Sequence, residues 1–332
     1  STYCYLGINI RYNGSFNVAI TSLMEKARKA YFKIKKTIGL DNPCKLLEKL
    51  FDSLVAPILL YCSEIWGIIS TFKDSDAYEK LHIKFIKEIL GVHCKASNDA
   101  CRSELARLPL KNRIMLSSIK FWDHLITSEG SLVHQIYNAT KKSNPWVKRL
   151  NIIIQNLGLS YLSNDNLTIK PLFGFIKQRL TDQGFQEQHA NISESPTLIF
   201  FQSVYKINER AGYVDALKNR SDRSSLCKLR VSAHNLAIER GRYLKMPRDQ
   251  RICEICKSGE IENEQHMLLH CSGYSSIRES FVLKMFNITG KSVTTLCDKN
   301  IINLILNNTS YKALKLSSSF VTNCFNARSN LL

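Results

Sequence analysis

Acidic residues are scarce in this 332-residue sequence: 28 Asp+Glu stand against 46 Lys+Arg, a formal net charge of +18. Such a surplus attracts polyanions, with nucleic acid the commonest large partner and an acidic membrane surface the second. Long apolar runs are also missing. The most apolar stretch, LVAPILLYCSEIWGIIS at 54 to 70, is interrupted by Pro57 and Glu64 and falls short of the ~20 residues a bilayer span needs. No membrane partner is therefore expected. The cysteines lack regular spacing, and their number, eleven, is odd. Both features argue against a disulfide framework and for a reducing compartment, so the chain is expected inside the cell, in nucleus or cytoplasm, and not secreted. The N-x-S/T sites at Asn13 and Asn287 are then idle.

Catalytic signatures are absent as well. Nucleotidyl transfer by two metal ions requires clustered carboxylates, yet no adjacent Asp-Asp pair occurs. Neither a GxxxxGK[ST] phosphate loop nor a Gly-x-Ser-x-Gly elbow nor HExxH is present. No catalytic residue can be assigned. The chain opens at Ser1 without a charged leader and reads as a fragment of something longer.

What is present is mainly helical periodicity, with a 44% hydrophobic content sufficient for a real core. STYCYLGINIR at 1 to 11 alternates in the manner of a short strand or hairpin, followed by a Tyr12-Asn13-Gly14 turn. From Phe16 to Ile38 apolar residues recur at helical spacing until Gly39. A second helix begins near Lys45, and Pro57 either kinks it or opens a third through Ile69. Helices follow at 75 to 90, about 98 to 107, 109 to 127, 131 to 141 and 145 to 157. Residues 158 to 197 lose the period and gather turn formers, which predicts an irregular linker or insert. Periodicity returns from Leu198 to about Lys245, and the polar stretch 291 to 332 reads as a tail with short helices. The expected domains are thus 1 to 15, a helical bundle over 16 to 157, the linker, a basic segment with a Cys/His module over 198 to 290, and the tail.

Three of the eleven cysteines and two of the eight histidines fall within the nineteen residues 253 to 271. Cys253-x2-Cys256 can aim two thiolates at one ion, and His266 and Cys271, on a short helix, complete a CCHC set typical of closed structural zinc. His270, at i+4 from His266, is a possible replacement for Cys271, which is preferred as the stronger ligand. Four donors leave no open position, so Zn2+ is expected in a structural role. His93, Cys94 and Cys101 match no standard ligand spacing, and Glu64 is expected to be a buried acid with a basic partner.

Glu254, Glu260, Glu262 and Glu264 outnumber Lys257 in this module, so it does not obviously grip phosphate itself. The preceding residues 206 to 251 carry twelve Lys+Arg against five Asp+Glu. Zinc would lock a small fold that holds this basic segment, with Arg240, Arg242, Lys245, Arg248 and Arg251, in one orientation. In the first helix Lys26, Lys29, Lys33 and Lys36 form a row opposite the apolar stripe, flanked by Arg28 and Lys35, that can track a phosphate backbone.

Taken in order, YCYLGINI (3 to 10), LVAPILLYCSEIWG (54 to 67), EKLHIKFIKEILGV (79 to 92), ELARLPL (104 to 110), LRVSAHNLAIERGRY (229 to 243) and CEICKSGEIENEQHMLLHCSGY (253 to 274) resemble the C-terminal part of a non-LTR (LINE-type) retrotransposon reverse transcriptase. The resemblance spans roughly residues 1 to 280. It implies that Tyr5-Leu6-Gly7 ends a palm and contacts primer, that the basic helix opens a thumb-like domain along template-primer duplex, and that Cys253, Cys256, His266 and Cys271 form a zinc knuckle engaging RNA, RNA/DNA duplex or target DNA. The paired palm aspartates and their Mg2+ would belong to upstream domains of the parent RNA-directed DNA polymerase, which become expected partners. A cellular helical adaptor, zinc-stabilised and meeting an acidic protein surface, is the alternative.

Overall fold

A computed structural model describes residues 2–163, 169–290 and 296–331. The fold is mainly α, with one two-stranded antiparallel sheet at the N-terminus. Strands β1 (Thr2–Tyr5) and β2 (Ile8–Arg11) pair from Thr2↔Arg11 to Tyr5↔Ile8. Leu6 and Gly7 both have positive φ, at 47° and 82°, as a two-residue hairpin turn requires. The carbonyl of Leu6 accepts the Tyr61 hydroxyl at 3.0 Å.

Seventeen helices follow among the described residues: α1 Asn17–Ile38, α2 Cys44–Leu50, α3 Ala56–Leu59, α4 Ser63–Trp66, α5 Ala77–Leu90, α6 Asn98–Glu104, α7 Lys111–Thr127, α8 Leu132–Thr140, α9 Pro145–Asn156, α10 Phe173–Ser193, α11 Ile199–Val204, α12 Gly212–Ala216, α13 Arg220–Arg230, α14 Ala237–Tyr243, α15 Ser275–Thr289, α16 Asp298–Leu306 and α17 Tyr311–Leu331. They form two compact units, one of Ser1–Thr37, Lys49–Ile83 and Leu108–Glu187, the other of Ile38–Glu48, Lys84–Arg107 and Gln188–Leu332.

In the first unit, α1 buries Ala19, Leu23, Ala27, Tyr31 and Ile34 at the predicted spacing, and Gly39 ends it at φ 78°. Pro57 is resolved as a helix starter. A π-helical turn over Phe51–Val55 ends α2, and Pro57 lies in the first turn of α3, where its missing N–H costs nothing. The run does not continue to Ile69, because Cys62 adopts left-handed φ 55° before α4. No single helix among the described residues is long and apolar enough to cross a membrane; the pieces Cys44–Leu59 and Ser63–Ile69 bend by 68°. The core is tryptophan-centred, with Trp122, Trp146, Ile119, Leu150, Ile154 and Ile176 buried together. Each large apolar side chain contributes about 1.5–3 kcal/mol on burial. The indoles are also satisfied: Trp122 Nε1 donates to the Tyr137 hydroxyl at 2.9 Å, and Trp146 Nε1 to the Glu64 carbonyl at 2.9 Å.

Three sequence-based expectations need correction here. Glu64 is not a buried acid; it is only partly covered, and the buried carboxylates of this unit include Glu79, which accepts from the Leu110 N–H at 2.8 Å and lies 2.9 Å from His82 Nδ1, and Asp123, which accepts from the Ile169 N–H at 2.8 Å. Segment 158 to 197 is not an irregular linker, since α10 fills its second half; residues 164 to 168 lie outside the described ones. Gly184, which reads as a breaker, is a close-approach residue: a Cβ there would meet Asn112 Nδ2 at 2.7 Å and Leu108 Cδ2 at 3.0 Å. The third correction concerns the tail. Residues 291 to 295 lie outside the described ones, but α17 buries Ala313, Leu314, Phe320, Val321 and Cys324 in the second unit, packed on α13 and α15. Ser317 and Ser318 are buried too, and small side chains let α17 approach closely; Ser318 Oγ donates to the Asp222 carbonyl at 2.9 Å. Such polar, small residues hide the stripe from a periodicity reading.

Candidate metal centre and basic segment

The stretch 198 to 245 forms α11 to α14, and the Cys/His module follows it. A hairpin-like fold carries the first two donors: Ile252 and Ile261 form an antiparallel bridge, and the Cys253 N–H donates to the Glu260 carbonyl at 2.8 Å. Lys257 at φ 54° and Gly259 at φ 80° supply the reversal between them. The other two donors bracket a π-helical turn, His266–His270, in which the Cys271 N–H donates to the His266 carbonyl at 2.8 Å. That turn solves a spacing problem. Five residues advance about 140° beyond a full α-turn, which would splay His266 and Cys271 apart, whereas an i→i+5 closure returns them to one side.

Cys253, Cys256, His266 and Cys271 accordingly offer one donor atom each, all within 4.8 Å of one another, and can hold one metal ion. Cys253 Sγ and Cys271 Sγ are 3.8 Å apart, and Cys256 Sγ lies 3.3 Å from His266 Nε2. A tetrahedral ion with ~2.3 Å bonds to sulfur sets two sulfurs about 3.8 Å apart, so the set is compatible with zinc. Among the described residues this is the single such group, and neither a carboxylate cluster nor His93, Cys94 and Cys101 forms another. His270 is excluded as the fourth ligand. It is exposed on the other side of the turn, with Nε2 3.0 Å from Asp298.

The thiols are electrostatically unequal. Burial pushes Cys271 up to about 12 and also raises Cys253. Burial raises Cys256 as well, but hydrogen bonds from Ser258, Cys253 and His266 outweigh it and bring the thiol down to about 6. Cys256 is thus the most acidic of the three thiols, and a bound cation would favour loss of the protons from the other two. A Glu260 oxygen sits 2.7 Å from His266 Nδ1 but outside hydrogen-bond alignment.

Sequence reasoning missed what surrounds the ligands. Glu262, counted there as surface charge, is buried and clamped by Arg328 of α17 through Nε–Oε1 at 2.7 Å and Nη2–Oε2 at 2.8 Å. It also accepts the Ala237 N–H at the start of α14 at 2.6 Å. Glu264 is buried against His234 Nε2 at 3.0 Å and the Ser232 hydroxyl at 2.8 Å. Arg278 of α15 donates to the carbonyls of Leu268 and Cys271, each at 2.8 Å. The module is thus tied to α14, α15 and α17, and the only sequence signal was an unexplained density of Glu and Arg.

The basic segment is docked on this module. The Ile238 N–H donates to the Glu262 carbonyl at 3.0 Å, and Arg251, two residues before Cys253, donates to the Ile238 and Met246 carbonyls. Arg251 is therefore a strut rather than a free cation. Arg242 is neutralised by Glu239, with Nη2–Oε2 at 2.7 Å. Arg240, 3.7 Å from Glu254, Lys245 and Arg248 are exposed. In the first unit, Lys26, Lys29, Lys33 and Lys36 are all exposed on α1, and Tyr5 is 56% exposed on β1. All eleven cysteines are free thiols. No protein-family model, curated protein or solved structure matches this chain, so the resemblance to LINE-type reverse transcriptases stands on the motifs quoted above.

Proposed function

We propose that this chain binds nucleic acid, as the thumb-like and Zn2+-stabilised C-terminal part of an RNA-directed DNA polymerase of the non-LTR retrotransposon kind, inside the cell and without polymerising by itself. The observation that supports it best is the docking of α14 on the Cys253/Cys256/His266/Cys271 module, which couples an ion site to the orientation of Arg240, Lys245 and Arg248. The ion's role in this reading is structural: it fixes the module and leaves substrate contact to the basic residues. The lysine row of α1 adds a phosphate-tracking surface that binds without reading sequence.

The purified chain should contain one Zn2+ and bind RNA/DNA hybrid with strongly salt-dependent affinity. Replacing Lys26, Lys29, Lys33 and Lys36 together by Gln should reduce the slope of log affinity against log salt by up to about 3.6, at ~0.9 per phosphate contact. An unchanged slope removes α1 from the interface. Equal competition by an acidic polypeptide of matched charge would favour the adaptor reading instead.

A further inference from the structure

A cleft of ≈ 320 Å³ lies among α11, α14 and residues 263 to 265, just ahead of the π turn of the Cys/His module. Its lining includes Ile199, Phe200, Arg242, Arg248, Asn263 and Gln265. The cleft's carboxylates are already committed, Glu264 to His234 and Ser232 and Glu239 to Arg242. Arg248 is exposed with no side-chain partner among the described residues, whereas Arg251, also in the lining, is held by the Ile238 and Met246 carbonyls. The two amides are half used. Asn263 Oδ1 accepts the His266 N–H at 2.8 Å and Gln265 Nε2 donates to Asp298 at 2.9 Å, which leaves one amide donor and one amide acceptor for a ligand.

A cation, an aromatic face and a donor–acceptor pair are what a nucleotide needs for its phosphate, its ring and its base edge. The volume lies within the range of small-ligand sites. Arg242 extends the surface, because its guanidinium lies 4.5 Å from the centre of the half-exposed Tyr243 ring, which Lys95 also approaches at 5.4 Å. The geometry points to a site for one unpaired nucleotide of a single strand, its base against Phe200 and its phosphate on Arg248, with Tyr243 offering a stacking face for a neighbouring base. A base paired within a duplex presents only its edge and cannot enter, so the site selects single-stranded over duplex nucleic acid. This inference rests on the proposed nucleic-acid binding and sharpens it.

The test is fluorescence anisotropy of the full chain with a labelled single-stranded 12-mer and with a blunt duplex of the same sequence. Arg248→Gln, at an exposed position, and Phe200→Ala should each weaken single-strand binding about tenfold, the scale of one lost stacking or phosphate contact. Duplex binding should change less than about twofold in Phe200→Ala, and less than single-strand binding does in Arg248→Gln, which also belongs to the general basic surface, and a free nucleoside monophosphate should compete with the single strand alone. Wild-type single-strand affinity in both variants, or equal loss on both ligands, overturns the cleft while leaving general nucleic-acid binding intact. Failure of the wild-type chain to bind either ligand overturns both.

Discussion

The two units are built on different physics. In the first, Trp122, Trp146, Leu150 and their neighbours bury apolar surface along helices close in sequence, and polar groups serve mainly to satisfy indole N–H and backbone atoms. The second packs an apolar core too but buries several arginine side chains with it, where the first buries Glu79 against His82 and Asp123 against backbone N–H groups. Arg230 lies against Glu104 at 3.0 Å with both nearly inaccessible, Arg328 clamps Glu262, and Arg223 is enclosed among the carbonyls of Leu217, Ile89 and Leu40. A buried pair is a poor substitute for apolar packing in energy, but it is intolerant of a wrong partner. A module of about twenty residues has too little apolar surface to define itself; long-range ion pairs do so instead, together with a donor set that can hold one metal ion.

The comparison breaks most visibly at the metal. Chelation, or Cys271→Ser, should destabilise the module by on the order of 10 kcal/mol, the scale of structural zinc binding. Hydrogen exchange should then accelerate at residues 251 to 274 and in α14 while α7 and α9 keep their protection; uniform acceleration in both units would deny the contrast. Next in size is the Glu262–Arg328 pair. Arg328→Ala leaves a buried carboxylate uncompensated and should cost about 3–5 kcal/mol in urea denaturation, with Glu262→Gln in the same background recovering part of the loss. Full additivity of the two changes would show that the pair is not a unit.

In the first unit the comparable change is Leu150→Ala, expected to cost about 2–5 kcal/mol through the cavity it leaves, with metal stoichiometry unaltered. Loss of metal in that variant would mean that the units do not separate energetically as described. The smallest effect is at Gly273, where a Cβ would meet Ile255 Cγ2, between the two cysteines of the CxxC turn, at 2.3 Å. Gly273→Ala should cost about 1–3 kcal/mol by overpacking and weaken metal affinity. Wild-type affinity would show that the turn yields freely.

Most helices of the first unit were readable because a helix with one face to solvent repeats its pattern every turn, as α1, α7 and α9 do. The donor set was readable for a similar reason, since all four ligands lie within one short stretch. Its last pair was the ambiguous part: His270 sits at the better α-helical spacing from His266, and only a π turn places Cys271 instead. The helices α10 and α17 were hidden because Gly184, Ser317 and Ser318 serve close packing, and composition alone gives such residues the look of loop formers.

By itself the sequence determined the positive charge, the helical class, the N-terminal hairpin and the identity of the residues competent to bind a metal, because each is a property of local composition and spacing. Only the tertiary structure decided which acids are surface charge and which are internal clamps, which arginines remain free, and that the last helix closes the Cys/His module. Those outcomes depend on partners such as Glu262 and Arg328, 66 residues apart, whose meeting is set by packing and by the cost of leaving a buried charge alone.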